Sequence, residues 1–274
     1  MIRRRRHARG YILLTVLWMA VGLLLGASAF LSSERTDALS LRAEVESAHA
    51  LLLARNGANI AMAELAAAER GILLDGSWTT LQGIDGTIRY AVQDEAGKLS
   101  MAQAPIELLR PALIEAGRDL GSDAFDAVNV AEAIIARRDR TVPLELVSVS
   151  TILRSLGLTQ AAAERAARVL SPFHFGRHVN PMSAPPEVLS SIPGVGPSDV
   201  VDVVSRRQTG QPMPRFGTAS VWLNVEEGPV YTILAEGISP SGYRVRMEVL
   251  AANVGISFRT DRDQYSILRA RVVE

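Results

Sequence analysis

The chain has 274 residues, 48% of them hydrophobic, and its 29 basic and 29 acidic side chains cancel at neutral pH. A balanced total gives no sign of a nucleic-acid partner. The absence of cysteine excludes disulfides and thiolate metal sites.

The first ten residues are basic, with Arg3, Arg4, Arg5, Arg6 and Arg9 and no acid, and they end in Gly10. Residues 11–31 then run without charge or proline; Thr15 and Ser28 are the only hydroxyl residues apart from Tyr11. About 20 apolar helical residues cross a bilayer core, so this stretch is long enough. The arginines before it hold that side in the cytoplasm. The expected arrangement is a single-pass inner-membrane protein with its bulk in the periplasm. Three readings fit the start. A cleaved secretory signal has Ala27-Ser28-Ala29 as a site on paper, but its apolar core is too long. A plain signal anchor fits the hydropathy. The junction of Gly10 with Tyr11-Ile12-Leu13-Leu14 resembles type IV pilin-like precursors. That resemblance implies peptidase cleavage between Gly10 and Tyr11 and methylation of the new N-terminus.

The span continues into a polar helix. Leu41, Val45, Ala48 and Leu52 recur at helical spacing, and Ala58, Met62 and Leu65 extend an apolar face. No proline interrupts the run, and alanine and leucine favour helix. One helix over 11–69 is expected, with this face covering a sheet. Gly71, Asp75-Gly76 and Asp85-Gly86 punctuate an irregular region. Residues 87–92 alternate as a strand with Ile88, Tyr90 and Val92 on one face. Glu95-Ala96-Gly97 reads as a turn, and 98–101 as a second strand.

From 104 to about 207 the period becomes helical. Helices are expected over 106–116, 123–138, part of 145–156, and 159–170 with Thr159 as N-cap. The most specific motif lies within this unit, over 179–201. There Ser183 is expected to cap a helix beginning at Pro185-Pro186. Gly194 and Gly196 are expected to shape a hairpin with positive φ, and Pro197 opens the next helix. The element resembles a helix-hairpin-helix, which can offer backbone N–H groups to a phosphate. Against a nucleic-acid role stand Glu187, Asp199 and Asp202, with only Arg206 and Arg207 opposing them; a phosphate-gripping surface is clearly basic. After Pro214, strands are expected over 231–238, 243–250, 256–259 and 265–273, with Ser239-Pro240-Ser241-Gly242 as a hairpin turn.

The layout resembles the type II secretion system protein K family of minor pseudopilins. The resemblance covers nearly the whole chain. It rests on the Gly10 to Trp18 junction, the Asp94-Glu95-Ala96-Gly97-Lys98-Leu99 turn, Val179-Asn180-Pro181 before the hairpin, and the strand-rich end. It implies an α+β fold in which a long N-terminal helix packs on a small antiparallel sheet and a large all-α domain is inserted. The expected divisions are a leader at 1–10, a membrane half-helix at 11–31, and an amphipathic half-helix with first strands at 32–103. An inserted helical domain follows at 104–215, and the closing sheet at 216–274. Most pilins carry glutamate at the fifth mature position; here it is Thr15, as the family implies for a subunit at the tip. The implied partners are the minor pseudopilins called I and J, the pseudopilus and the prepilin peptidase. The implied role is to start pseudopilus assembly for protein export.

Calcium binding occurs in some members of that family, but 135–140 is basic here. Asp123, Asp126 and Asp139 do not have the spacing of a calcium loop. His174 and His178 have metal-like spacing in a Pro/Gly-bounded segment, and neither a metal nor another cofactor is expected. No P-loop, H-E-x-x-H or dinucleotide motif points to an enzyme. The competing functions are a membrane-anchored helix-hairpin-helix DNA receptor of competence type and a minor pilin of a type IV pilus.

Overall fold

A computed structural model describes residues 7–67, 71–117, 126–138, 149–257 and 262–273. The side chains of 7–13, 29–38, 256–257 and 262–263 lie outside this description. The chain divides into two compact units, Met1–His49 and Ala50–Glu274. Helix α1 (His7–Leu65) begins in the first and ends in the second.

The first unit contributes the start of α1. Every described side chain over 14–28 is exposed, including Leu23 at 72% and Trp18 at 70%. Among the described residues no helix is long and apolar enough to cross a membrane. The described side chains of the candidate span cover 14–28, fewer than the roughly 20 a crossing needs. Leu41 and Val45 are 62% and 60% exposed.

The second unit is mixed α and β. Its main sheet contains β1 (Asp75–Gly83), β2 (Gly86–Asp94), β5 (Val230–Ile238), β6 (Arg244–Ser257) and β7 (Arg262–Val273), in the order β1-β2-β5-β6-β7. Every neighbouring pair is antiparallel. Alternation decides which face is dry. Tyr90 and Val92 of β2, Tyr231, Ile233 and Ala235 of β5, and Val249 and Ala251 of β6 form one buried cluster with Ala58, Ala61 and Leu65 of α1. The hydroxyl of Tyr90 donates to Glu64 Oε1 at 3.0 Å, tying the helix to the sheet. Burial, with Glu64 adding to it, pushes that phenol up to about 12.

Ala58, Met62 and Leu65 meet the sheet as expected, but the residues expected before them do not. Ala50, Leu53, Ala54, Gly57, Ala58, Ala61 and Leu65 are buried, whereas Leu41, Val45, Ala48 and Leu52 are exposed. Close approach explains the choice. A Cβ on Gly57 would lie 2.8 Å from Ile88 Cγ2, and one on Gly237 would lie 2.0 Å from the Ala50 carbonyl oxygen. Glycine at these two points lets the backbones meet, with Leu53 and Leu65 buried beside them.

Three other expectations change. Strand β1 forms where an irregular region was expected, and the expected strand at 98–101 shrinks to β3 (Leu99–Ser100). β3 pairs in parallel with β4 (Leu170–Ser171), away from the main sheet. The expected strands at 243–250 and 256–259 join, as far as 257, in one strand, β6, whose pairing with β7 shifts register twice; 258–259 lie outside the described residues.

Between β3 and β5 lie α2 (Ile106–Gly117), α3 (Ala127–Arg138), α4 (Val149–Ser155), α5 (Gln160–Val169), α6 (Pro186–Ser191) and α7 (Pro197–Thr209). They enclose a second buried cluster built on Leu108, Leu109, Leu113, Leu153 and Leu189. Each fully buried leucine contributes about 1.5–3 kcal/mol of transfer free energy. Thr159 caps α5 as expected, its Oγ1 accepting the Ala162 N–H. The start of the expected helix at 123–138, before Asp126, and the first part of 145–156 lie outside the described residues.

Candidate functional site

The residues singled out from the sequence fall in five places. Gly10 and Tyr11 lie in the first turns of α1, and their side chains are outside the described residues. Thr15 lies one turn further on and is exposed. The chain is therefore helical across the 10–11 junction itself, starting at His7 and not at Tyr11.

The two motifs that carry the family resemblance away from the N-terminus meet in space. Asp94 ends β2 and is fully buried. Its Oδ1 accepts the Ala96 N–H at 2.9 Å and the Gly228 N–H at 3.1 Å. Its Oδ2 accepts Asn180 Nδ2 at 3.0 Å and the Ser183 hydroxyl at 3.1 Å. One carboxylate thus joins the end of β2, the approach to the hairpin motif and the approach to β5. Asn180 adds a backbone bond to the Ala96 carbonyl at 2.8 Å. Gly97 permits the contact, because a Cβ there would come within 2.4 Å of the Ser183 backbone. Burial raises the Asp94 pKa, and the four hydrogen bonds work against that shift. With no solvent access and every acceptor site engaged, this carboxylate is a joint and not a catalytic base. Ser183 is consequently not the expected helix cap. Pro185 stands at that position with no side-chain cap.

At the hairpin, Gly194 has φ +90, as expected, and a Cβ there would lie 2.9 Å from Thr218 Oγ1. Gly196 does not share the positive φ; its value is −91. Its N–H donates to Asp199 Oδ2 at 2.8 Å. A hairpin that grips phosphate offers that N–H outward; here a carboxylate of the same helix occupies it. The two arginines counted in the motif are also committed. Arg206 pairs with Asp202 at 2.9 Å. Arg207 is buried and donates to the carbonyls of Pro181 and Ala184. Burial lowers its pKa, while Asp75, 3.6 Å away, acts in the opposite direction. Arg207 therefore fastens α7 to the Asn180 approach and to β1.

His174 turns its ring to the backbone of His178. His174 Nε2 lies 2.7 Å from the His178 backbone oxygen, and burial lowers the His174 pKa. Asp126 caps α3, its Oδ1 accepting the N–H groups of Val128 and Asn129 at 3.1 Å; Asp123 and Asp139 lie outside the described residues. Among the described residues no three His, Asp or Glu side chains converge as metal ligands.

Sequence reasoning missed the connections of Asp94 and Arg207. Both link segments far apart in the chain, Asp94 to Ser183 over 89 positions and Arg207 to Pro181 over 26. Comparison with protein-family models and with curated proteins finds no match to this chain.

Proposed function

We propose that this chain is a minor pseudopilin of the type II secretion system, placed at the pseudopilus tip, where it starts fibre assembly for protein export. The supporting observation is the division of labour along α1. One face of its second half, mostly alanine and glycine with Leu53 and Leu65, covers the antiparallel sheet. Leu41, Val45 and Leu52, at intervals of four and seven, remain exposed on the other. A stripe at that spacing suits packing against another helix. Over 14–28 the apolar side chains are exposed on every side, which fits a helix surrounded by lipid.

On this reading residues 50–94 and 230–273 form a pilin-like core, and the helical segment is its insertion. Thr15 offers a neutral hydroxyl where a shaft subunit carries a carboxylate. A charged group inside a bilayer costs at least about 2.5 kcal/mol unless paired; a subunit without one does not need a neighbour to satisfy it. The bulk of the helical segment argues the same way, since at every level of a narrow fibre it would crowd its neighbours. The reading assigns no catalytic residue. A DNA receptor is less well supported, because Asp199 holds the Gly196 N–H and Arg207 is turned inward.

Processing and position test the proposal together. Wild-type protein should lose residues 1–10, and Gly10→Val should not. Equal mature masses for the two by intact mass spectrometry would reject pilin-type processing. Immunogold against a tag in the helical segment should mark one end of overproduced pseudopili; label along their length would reject the tip assignment.

A further inference from the structure

The outer face of the main sheet, opposite the α1 contact, carries charge where the inner face carries apolar side chains. Strand register sets a row across it. Arg89 of β2 stands opposite Glu236 of β5, and Glu236 opposite Arg246 of β6. The two arginines bind different oxygens of Glu236, each at 3.0 Å. Trp78 of β1, opposite Ala91 and so diagonal to Arg89, lies against the row, with the guanidinium carbons of Arg89 and Arg246 at 4.9 and 5.7 Å from its ring centre. Both distances are within cation–π range. Beside this row, Glu248 accepts from Arg269 at 2.8 Å and from two nitrogens of Arg271 at 3.1 and 2.9 Å.

Four arginines therefore share two glutamates. The carboxylates lie deeper: the Glu236 and Glu248 side chains are 6% and 17% exposed, against 45% for Arg246 and 39% for Arg271. The field leaving this face is positive. The face also forms the floor of a cleft of 450 Å³, whose opposite wall is α5 through Glu164, Ala167 and Arg168. Ala91 and Leu234 lie on the floor among the charged groups.

We propose that this cleft binds a short acidic peptide segment of a partner protein, its carboxylates received by Arg246 and Arg271 and its aliphatic side chains by Ala91 and Leu234. Guanidinium groups receive carboxylates through paired N–H donors, and those already braced by a buried glutamate are held in place beforehand. The buried glutamates also set the ligand's charge pattern. A continuous phosphate backbone needs an unbroken basic track, and Glu164, Glu236 and Glu248 interrupt it. Separate carboxylates spaced by apolar residues fit the alternation. This inference stands on the sheet face alone and does not require a place at a fibre tip.

The test uses the full-length protein in detergent micelles. The probe is a fluorescein-labelled peptide of alternating glutamate and valine, followed by anisotropy. It should bind, and the same peptide with glutamine for glutamate should bind at least about tenfold more weakly. The double variant Arg246→Gln, Arg271→Gln should lose about tenfold or more in affinity, whereas Arg110→Gln on α2 should lose none. Trp78→Phe keeps every ion pair and serves as a second variant. Unlabelled peptide should change wild-type tryptophan emission, and this change should vanish in Trp78→Phe. Unchanged affinity in the double variant, equal binding of the glutamine peptide, or an emission change that survives Trp78→Phe would each overturn the proposal. So would displacement by inorganic phosphate or a single-stranded oligonucleotide at concentrations equal to the competing peptide.

Discussion

The two sides of α1's second half invite comparison, because one leaves large apolar side chains exposed while the other buries mostly alanine and glycine, with Leu53 and Leu65 among them. Leu41, Val45 and Leu52 have large apolar side chains and are exposed; Ala50, Ala54, Ala58 and Ala61 are small and are buried. Area alone would bury those three as well, since each buried leucine or valine gains about 1.5–3 kcal/mol. The sheet selects for proximity instead. Gly237 and Gly57 let the helix backbone settle directly on β5 and β2, and the contacts of closely packed atoms accumulate along the whole seam. The large residues left outside are available for a partner.

The comparison breaks most severely at Gly237. Gly237→Val pushes a branched side chain into the Ala50 carbonyl and the Ala54 nitrogen. Since overpacking by single methylenes already costs about 1–3 kcal/mol, a loss of about 4 kcal/mol or failure to fold is expected in urea denaturation of the detergent-solubilised protein. A valine variant with wild-type stability would mean the helix does not sit this close.

Next in size is Asp94→Ala, which leaves four donors, three of them buried, without their acceptor. Each unmet buried group costs about 1–3 kcal/mol, so a loss of at least about 3 kcal/mol is expected, again by urea titration. Its pH dependence has a definite sign. Burial raises the Asp94 pKa in the fold, so the folded state holds that proton more tightly than the unfolded one. The group's proton-linked stabilisation is complete below the ordinary aspartate value of about 3.9 and is lost as pH rises through the raised value. Relative to Asp94→Asn, wild type should therefore lose stability across that window. A wild type that gains stability there would contradict the burial assigned to Asp94.

Leu53→Ala should cost about 2–3 kcal/mol, the usual range for a buried leucine at a site that can partly relax. Val45→Asp, only eight residues earlier, should change stability by less than about 0.5 kcal/mol. It should nevertheless reduce assembly of pseudopili in cells if the stripe meets a partner helix. Equal destabilisation by the two variants would erase the distinction between the faces.

Much of this was legible in the sequence. Period-two alternation located β2 through Ile88, Tyr90 and Val92, and β5 to β7 through their valines, leucines and isoleucines. Helical period found α2 and α5, and Thr159 announced its own cap. What escaped was decided at a distance. Strand β1 contains two glycines and mostly polar residues, and it exists because β2 offers it an edge. Ala58, Met62 and Leu65 were read correctly, but the buried face of α1 before them depended on how near the sheet could come, which no one-dimensional pattern encodes. Ser183 was taken from its local capping role by a carboxylate 89 residues away. Arg207 counted as surface charge until Pro181, Ala184 and Asp75 surrounded it.

The strand order has a further consequence, for the route by which the sheet assembles. β2 and β5 lie side by side, yet Arg89 and Glu236 are 147 residues apart in the chain. Bringing two such points together in a flexible polymer costs about 4 kcal/mol of chain entropy, from (3/2)RT ln n. The β1–β2 hairpin and the β5–β6–β7 meander are local and escape that cost; their union does not. If the intervening helices collapse first, the ends of β2 and β5 arrive as neighbours and the remaining search is short. Pulsed hydrogen exchange during refolding would then protect the amides of α2 before those of β5, and the reverse order would show that the sheet closes unaided.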